Sequence, residues 1–272
     1  MNERGLLTPM NVLEHNRAAW NRKSREGDQW TVGVDREVIR QAAAGEWSVL
    51  LTPTRPVPRV WFGDLRNKDV LCLASGGGQQ APIFAAAGAR VTSFDLSDAQ
   101  LATDQAVAEQ NGLCLRCIRG DMADLSAFGD EEFDLIFHPI SNVFAPDVVP
   151  VWNECHRVLR PGGALLAGFM NPSVFLFDYC GPKEAGGLVA KYRLPYSDFD
   201  LEETSPQWQE VRAGGAVEFS HSLETQIGGQ LAAGFVLTAM YEDWWTEDQV
   251  AINKFTPMSI ATRAVKPADH DL

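Results

Sequence analysis

Short apolar runs closed by glycine alternate along this chain with stretches whose apolar residues recur at helical spacing. Val70, Leu71, Leu73 and Ala74 form one such run, ended by Gly76, Gly77 and Gly78. An apolar run closed by a glycine turn and followed by a helix-like segment reads as a buried parallel strand. The Ala-rich segment after it ends at Gly88, with Pro82 tolerable in its first turn. Arg90–Asp95 predicts a second strand, and Ser97 with Gln100 a capping box for a helix closed by Asn111-Gly112. Cys114–Arg119 and Phe133–Phe137 predict the third and fourth strands. Val148, Val151, Trp152, Cys155 and Leu159 then fall on one helical face, Pro161-Gly162-Gly163 ends that helix, and Ala164–Phe169 is a fifth strand. Phe235–Tyr241 and Met258–Val265 read as a closing antiparallel pair. The expected fold is α/β: a Rossmann-like, doubly wound seven-stranded sheet, mostly parallel with an antiparallel C-terminal strand.

The flanks carry a different pattern. Residues 11–27 predict a polar helix ended by Gly27, and Asp35–Ala44 a second. The stretch 52–62 holds too many prolines for a regular element and reads as a strap. Residues 1–68 are therefore expected to form an N-terminal helical cap or lid, 69–267 the main domain, and 268–272 a loose tail. The alternation breaks at Asn171, and 171–219 has no clear period; as an insertion after strand five it is expected to cap the substrate with Phe175, Phe177, Tyr179, Tyr192, Tyr196, Phe199 and Trp208. Ser222 is a candidate cap for a helix with Leu223, Ile227 and Leu231 on one face, weakened by Gly228 and Gly229.

Composition narrows the functional classes. The 272 residues include 36 acidic and 23 Lys/Arg side chains, a formal net charge of −13. Such a surface repels phosphate backbones, so nucleic acid is not expected as a partner. No apolar run approaches membrane-spanning length, and the N-terminus lacks a signal layout, so a cytoplasmic location is expected. Cys114 and Cys117, three apart in a strand, face opposite sides, which argues against a redox or zinc pair.

The candidate chemistry lies at the carboxyl end of the first strand, where a doubly wound sheet binds its ligand. Gly76-Gly77-Gly78-Gln79-Gln80-Ala81 fits the dinucleotide fingerprint G-x-G-x-x-G/A, and Asp95 ends the second strand. A carboxylate there suits two vicinal ribose hydroxyls. The fingerprint alone serves an NAD(P)-dependent oxidoreductase equally well.

The glycine turn, Asp95, Gly120-Asp121-Met122, Phe133–Phe137, Pro161-Gly162-Gly163 and the final strand pair together resemble class I S-adenosylmethionine-dependent methyltransferases. NRAAWN, EWSVLLTPTRPVPRVWF, LASGGGQQ, FHPISN, TQIGGQ and IATRAV are similar to an uncharacterised bacterial branch acting on small molecules, methyltransferase type 11-like. The resemblance implies S-adenosyl-L-methionine as cofactor and a small-molecule acceptor. It places Ser75, Gly76 and Gly78 around the methionine, Asp95 on the ribose, Asp121 on the adenine amino group, Met122 against the ring, and the Phe137–His138 backbone at the cofactor's amino group. With their neighbours Ala74, Gln79, Leu96 and Gln100 these make up the expected cofactor set. Cys72 departs from the family, standing where an acid is usual, and Ala74 replaces its first glycine. On the acceptor side His138 is the best-placed base, or else a loop histidine held by backbone hydrogen bonds. Asn142 would orient an acceptor or brace the loop, and His221 is a third candidate. A protein that senses the cofactor without catalysis is the remaining reading.

Overall fold

The computed structural model describes residues 11–177, 188–246 and 251–268. Tyr179, Cys180, His270 and most of the expected tail lie outside them. Seven strands form one sheet: β1 (Asp69–Leu73), β2 (Arg90–Asp95), β3 (Leu115–Arg119), β4 (Phe133–His138), β5 (Leu159–Met170), β6 (Val236–Asp243) and β7 (Ser259–Val265), in the order β3-β2-β1-β4-β5-β7-β6. The first five pair in parallel, and β7 runs antiparallel to both β5 and β6. The sheet reverses order between β1 and β4, which opens the crevice at their carboxyl ends.

Side chains alternate across the strands and separate two apolar layers. Val70 and Cys72 of β1 and Leu135 and Phe137 of β4 meet α2 (Arg36–Ala43), α3 (Gln80–Ala86), the strap residues Trp61 and Phe62, and Leu65 just beyond the strap. Leu71, Leu73 and Ile136 face the other way, against Val148, Val151, Trp152, Cys155 and Val158 of helix α5 (Val149–Val158) and its approach. The expected stripe on this helix is thus fully buried. Cys114 is exposed and Cys117 half-buried, and both are free thiols.

Several boundaries depart from the sequence reading. β5 starts at Leu159, directly after α5, and Pro161-Gly162-Gly163 lies within its irregular first part rather than at a helix end. Ser222 does cap its segment, its Oγ 3.1 Å from the Thr225 N–H. The segment is a π-turn, Glu224–Gly228, running into a single α-turn, Gly229–Ala232. Its expected apolar face is wrong: Leu223 and Leu231 are exposed, and Gln226 and Gln230 are buried. The two glutamines serve a polar network described below, and a side chain at Gly229 would strike Trp152 at 2.7 Å.

The aromatic residues of the insertion mostly pack on one another. Tyr196 lies against Phe175 at 5.2 Å and Tyr192 at 5.5 Å, and Phe199 against Trp208 and Phe219. Of the described aromatics expected to wall the substrate, only Phe175 reaches the crevice.

Candidate active site

A cavity of about 780 Å³ opens over the carboxyl ends of β1, β2 and β4. Its glycine-turn bank is unusually constrained. A Cβ on Gly77 would lie 2.7 Å from Gln100 Oε1 and 3.0 Å from the Trp30 carbonyl, and one on Gly78 would lie 2.8 Å from Gly33 Cα. These glycines are therefore demanded by the Trp30–Gly33 backbone packed on them. Val34 N–H donates to the Gly78 carbonyl at 2.8 Å, and Gln79 Nε2 donates to the carbonyls of Gln29 and Val32. Ala74, in place of the family's first glycine, is held in the left-handed region at φ 47°.

Among the expected cofactor residues, Ala74, Ser75, Gly76, Gln79, Asp95, Leu96, Gln100, Asp121 and Met122 all line the cavity. Gly78, Phe137 and His138 do not: Gly78 is covered by Gly33, Phe137 lies in the core, and the β4 side of the lining begins at Pro139. Asp95 is 9% exposed and accepts from Gly76 N–H (3.0 Å) and Ser97 N–H (2.8 Å). Burial pushes its carboxyl above the usual range, and the backbone hydrogen bonds oppose this. Each oxygen keeps acceptor capacity for a hydroxyl. Ser97 Oγ accepts from Gln100 N–H, which is half of the expected capping box; the Gln100 side chain turns away, leaving Oε1 buried without a partner. Ser75 Oγ is likewise buried and unpartnered. Asp121 is raised by burial, against a hydrogen bond from Ala123 N–H. Two orphaned buried atoms, a ribose-suited carboxylate and a second acid beside Met122 match the polar needs of S-adenosylmethionine.

The acceptor-side candidates all sit in buried hydrogen-bond networks, the bracing arrangement that the sequence offered as the other reading of His138 and Asn142. His138 is 0% exposed, with Nδ1 3.0 Å from the Leu73 carbonyl and Nε2 2.7 Å from the Asn142 amide. Both ring nitrogens are occupied, and burial holds the imidazole below its usual pKa. Asn142, also fully buried, passes the chain to Gln226 at 2.9 Å; Gln230 joins Gln226 to Thr262. His221 Nε2 lies 3.0 Å from the carbonyls of both Asn142 and Ala145. None of the three lines the cavity. They brace the loop after β4 from behind.

Sequence reasoning expected the N-terminal segment near the crevice but named none of its residues that line the cavity. On α1 (Val12–Glu26), Val12, Leu13, Asn16, Trp20 and Lys23 line the cavity together, a stripe at i, i+4 and i+8 spacing. Asn16 bonds both N–H and C=O of Val217 and the Phe144 carbonyl on one bank. Asn21 accepts from Ser97 Oγ and Ala99 N–H on the other. The two asparagines of NRAAWN thus pin α1 across the opening. Asp104 was also missed: buried on α4 (Asp98–Gln110), it accepts from Gly78 N–H (2.6 Å) and Ser93 Oγ (2.5 Å). It brings a carboxylate beneath the turn, next to the Cys72 position where the family's acid is missing. The signal was an acid between Leu101 and Val107 on an otherwise apolar stripe.

Comparison with known proteins decides the family. A family model described as a methyltransferase domain matches residues 71–167. Uncharacterized methyltransferase YbaJ of Bacillus subtilis is 45% identical over 258 residues, 94% of this chain and 100% of the relative. This chain is an S-adenosylmethionine-dependent methyltransferase of class I. The methyltransferase is also 31% identical over 138 residues, half of its own length, to the ubiquinone biosynthesis O-methyltransferase of Pseudomonas syringae, covering 60% of that protein. Among solved structures, the methyltransferase fold matches an S-adenosylmethionine-dependent methyltransferase from Mesorhizobium loti, with TM-score 0.59 and 20% identity over 76% of this chain and 94% of the other. It also matches 1,6-didemethyltoxoflavin-N1-methyltransferase of Burkholderia thailandensis, with TM-score 0.56 and 18% identity over 98% and 93%. The oxidoreductase and sensor readings fall with this assignment.

Proposed function

We propose that this methyltransferase acts on a small, largely apolar acceptor enclosed between α1, the strap and the loop after β4. The observation that carries the reading is the composition of the cavity beyond the cofactor residues. Val12, Leu13, Trp20, Leu50, Ile140, Val143, Phe144 and Phe175 form its wall there. Such a wall suits an apolar body and keeps water from the reacting atoms. The Burkholderia protein, whose fold matches nearly the whole chain, is described with a bound small molecule, 1,6-didemethyltoxoflavin. The net charge of −13 supports a small acceptor over a polyanion, and a cytoplasmic setting accords with both.

In this reading Asp95 holds the ribose hydroxyls, and Asp121 with Met122 and Leu96 holds the adenine. Bound S-adenosylmethionine supplies a methyl group already activated by its sulfonium. The chain's contribution is to align the acceptor with that group at about 3–3.5 Å and to exclude water. With His138 and His221 occupied by structural hydrogen bonds, the acceptor's own nucleophilicity replaces a histidine base. A methyl-transfer screen against pools of small apolar acceptors tests the proposal. With an acceptor in hand, Phe144→Ala should raise its KM about tenfold while S-adenosylhomocysteine affinity stays within about twofold. Tyr196→Ala, outside the cavity, should lower stability alone. An acceptor KM that follows Tyr196 and ignores Phe144 would refute this placement.

A further inference from the structure

The three glycine amides of the turn already have acceptors within the protein. Gly76 N–H donates to Asp95, Gly77 N–H to the Gln100 carbonyl at 3.2 Å, and Gly78 N–H to Asp104. Helix α3 behind it is seven residues long, with Pro82 in its first turn. Yet the methionine end of the cofactor carries a carboxylate, and the cavity is lined by Asp95, Asp121, Asp147 and Glu218.

Lys23 is the one lysine or arginine among the described residues lining the cavity. Its Nζ lies 4.8 Å from the centroid of the Trp20 ring, and it forms no ion pair among the described residues. An ammonium resting on an aromatic face keeps N–H groups for a second partner. Lys23 also stands at the end of α1 that leads, through the cavity-lining Gln29 and Trp30, onto the glycine turn. At the same end the orphaned Gln100 Oε1 offers an acceptor of the kind an α-ammonium needs.

We propose that Lys23 binds the carboxylate of the cofactor's methionine, so that the N-terminal helix supplies part of the cofactor site as well as a wall for the acceptor. This rests on the adenosine placement at Asp95 and Asp121 given above. The test is calorimetric titration of the full chain and its Lys23→Gln and Lys23→Arg variants with two ligands. S-adenosylhomocysteine carries the amino-acid carboxylate, and 5′-methylthioadenosine lacks it. Lys23→Gln should lose about tenfold or more for S-adenosylhomocysteine and stay within about twofold for methylthioadenosine, which also reports intact folding. Lys23→Arg should keep most of the lost affinity. Unchanged S-adenosylhomocysteine binding by Lys23→Gln, or equal weakening of both ligands, would overturn the assignment. If wild-type protein binds S-adenosylhomocysteine but ignores methylthioadenosine, the adenosine placement fails, and the role of Lys23 with it.

Discussion

Ala74 occupies a backbone conformation that glycine adopts without strain and that costs an L-residue about 1–2 kcal/mol. Ala74→Gly should therefore raise stability by about 0.5–1 kcal/mol, after the unfolded chain's gain in freedom is subtracted. Urea unfolding reads the difference, and a loss of stability would mean that the methyl group's packing outweighs the strain. Asp104 carries the clearest pH signature. Burial pushes its carboxyl up to about 7, above its unfolded value, with Ser93 and the Gly78 amide opposing. Between about pH 4 and 7 the folded state holds a proton that the unfolded state releases, so this group's contribution falls as pH rises through that window. Asp104→Asn mimics the protonated form. Relative to wild type, the variant should gain about 1–4 kcal/mol between pH 4 and 8, seen as converging or crossing urea curves. Parallel curves would place the titration elsewhere. Neither residue advertised itself: the Ala74 strain is conformational, and Asp104 meets Gly78 across 26 residues of chain.

At the scale of elements, the loop after β4 owes its shape to the chain of His138, Asn142, Gln226 and Gln230. Asn142→Ala leaves buried groups on both sides unpaired and should lower the unfolding free energy by about 2–4 kcal/mol. The folded fraction should still bind S-adenosylhomocysteine within about twofold of wild type. A large loss of affinity with unchanged stability would restore Asn142 to the site. The same network explains where element prediction succeeded and failed. Strands such as Val70–Leu73 announce themselves through contiguous apolar residues, each buried against neighbours of the same kind. The segment after Ser222 inverts that rule, because its inward positions are glutamines satisfied by other buried polar groups. His138 stayed open between two readings for a related reason. Its place after a strand marks it equally for chemistry and for bracing, and only the partners of its two nitrogens separate them.

For the whole molecule, local motifs in the sequence named most of the residues lining the cavity around the glycine turn and few of those lining it from α1. The reason is distance: Asn16 reaches Val217, and Leu51, just before the strap, passes its carbonyl 2.2 Å from where a Cβ on Gly168 would stand. No window of the chain contains both partners. Global charge, by contrast, is a sum and is read at once. At −13, purified protein should leave DNA and RNA unshifted in gel mobility at physiological salt, and salt-sensitive binding to either would contradict this. The segment before β1 and the glycine turn are tied together at one close contact. Gly33 of the cap and Gly78 of the turn meet backbone to backbone, and a side chain on Gly33 would also strike Val107 at 2.6 Å. Neither glycine is replaceable while the other surface stays in place. The segment around Gly33 is therefore not exchangeable independently of the turn and α4. A chimera carrying foreign residues in place of the segment around Gly33 would need a turn and an α4 surface shaped to match, so a swap confined to that segment should lower stability.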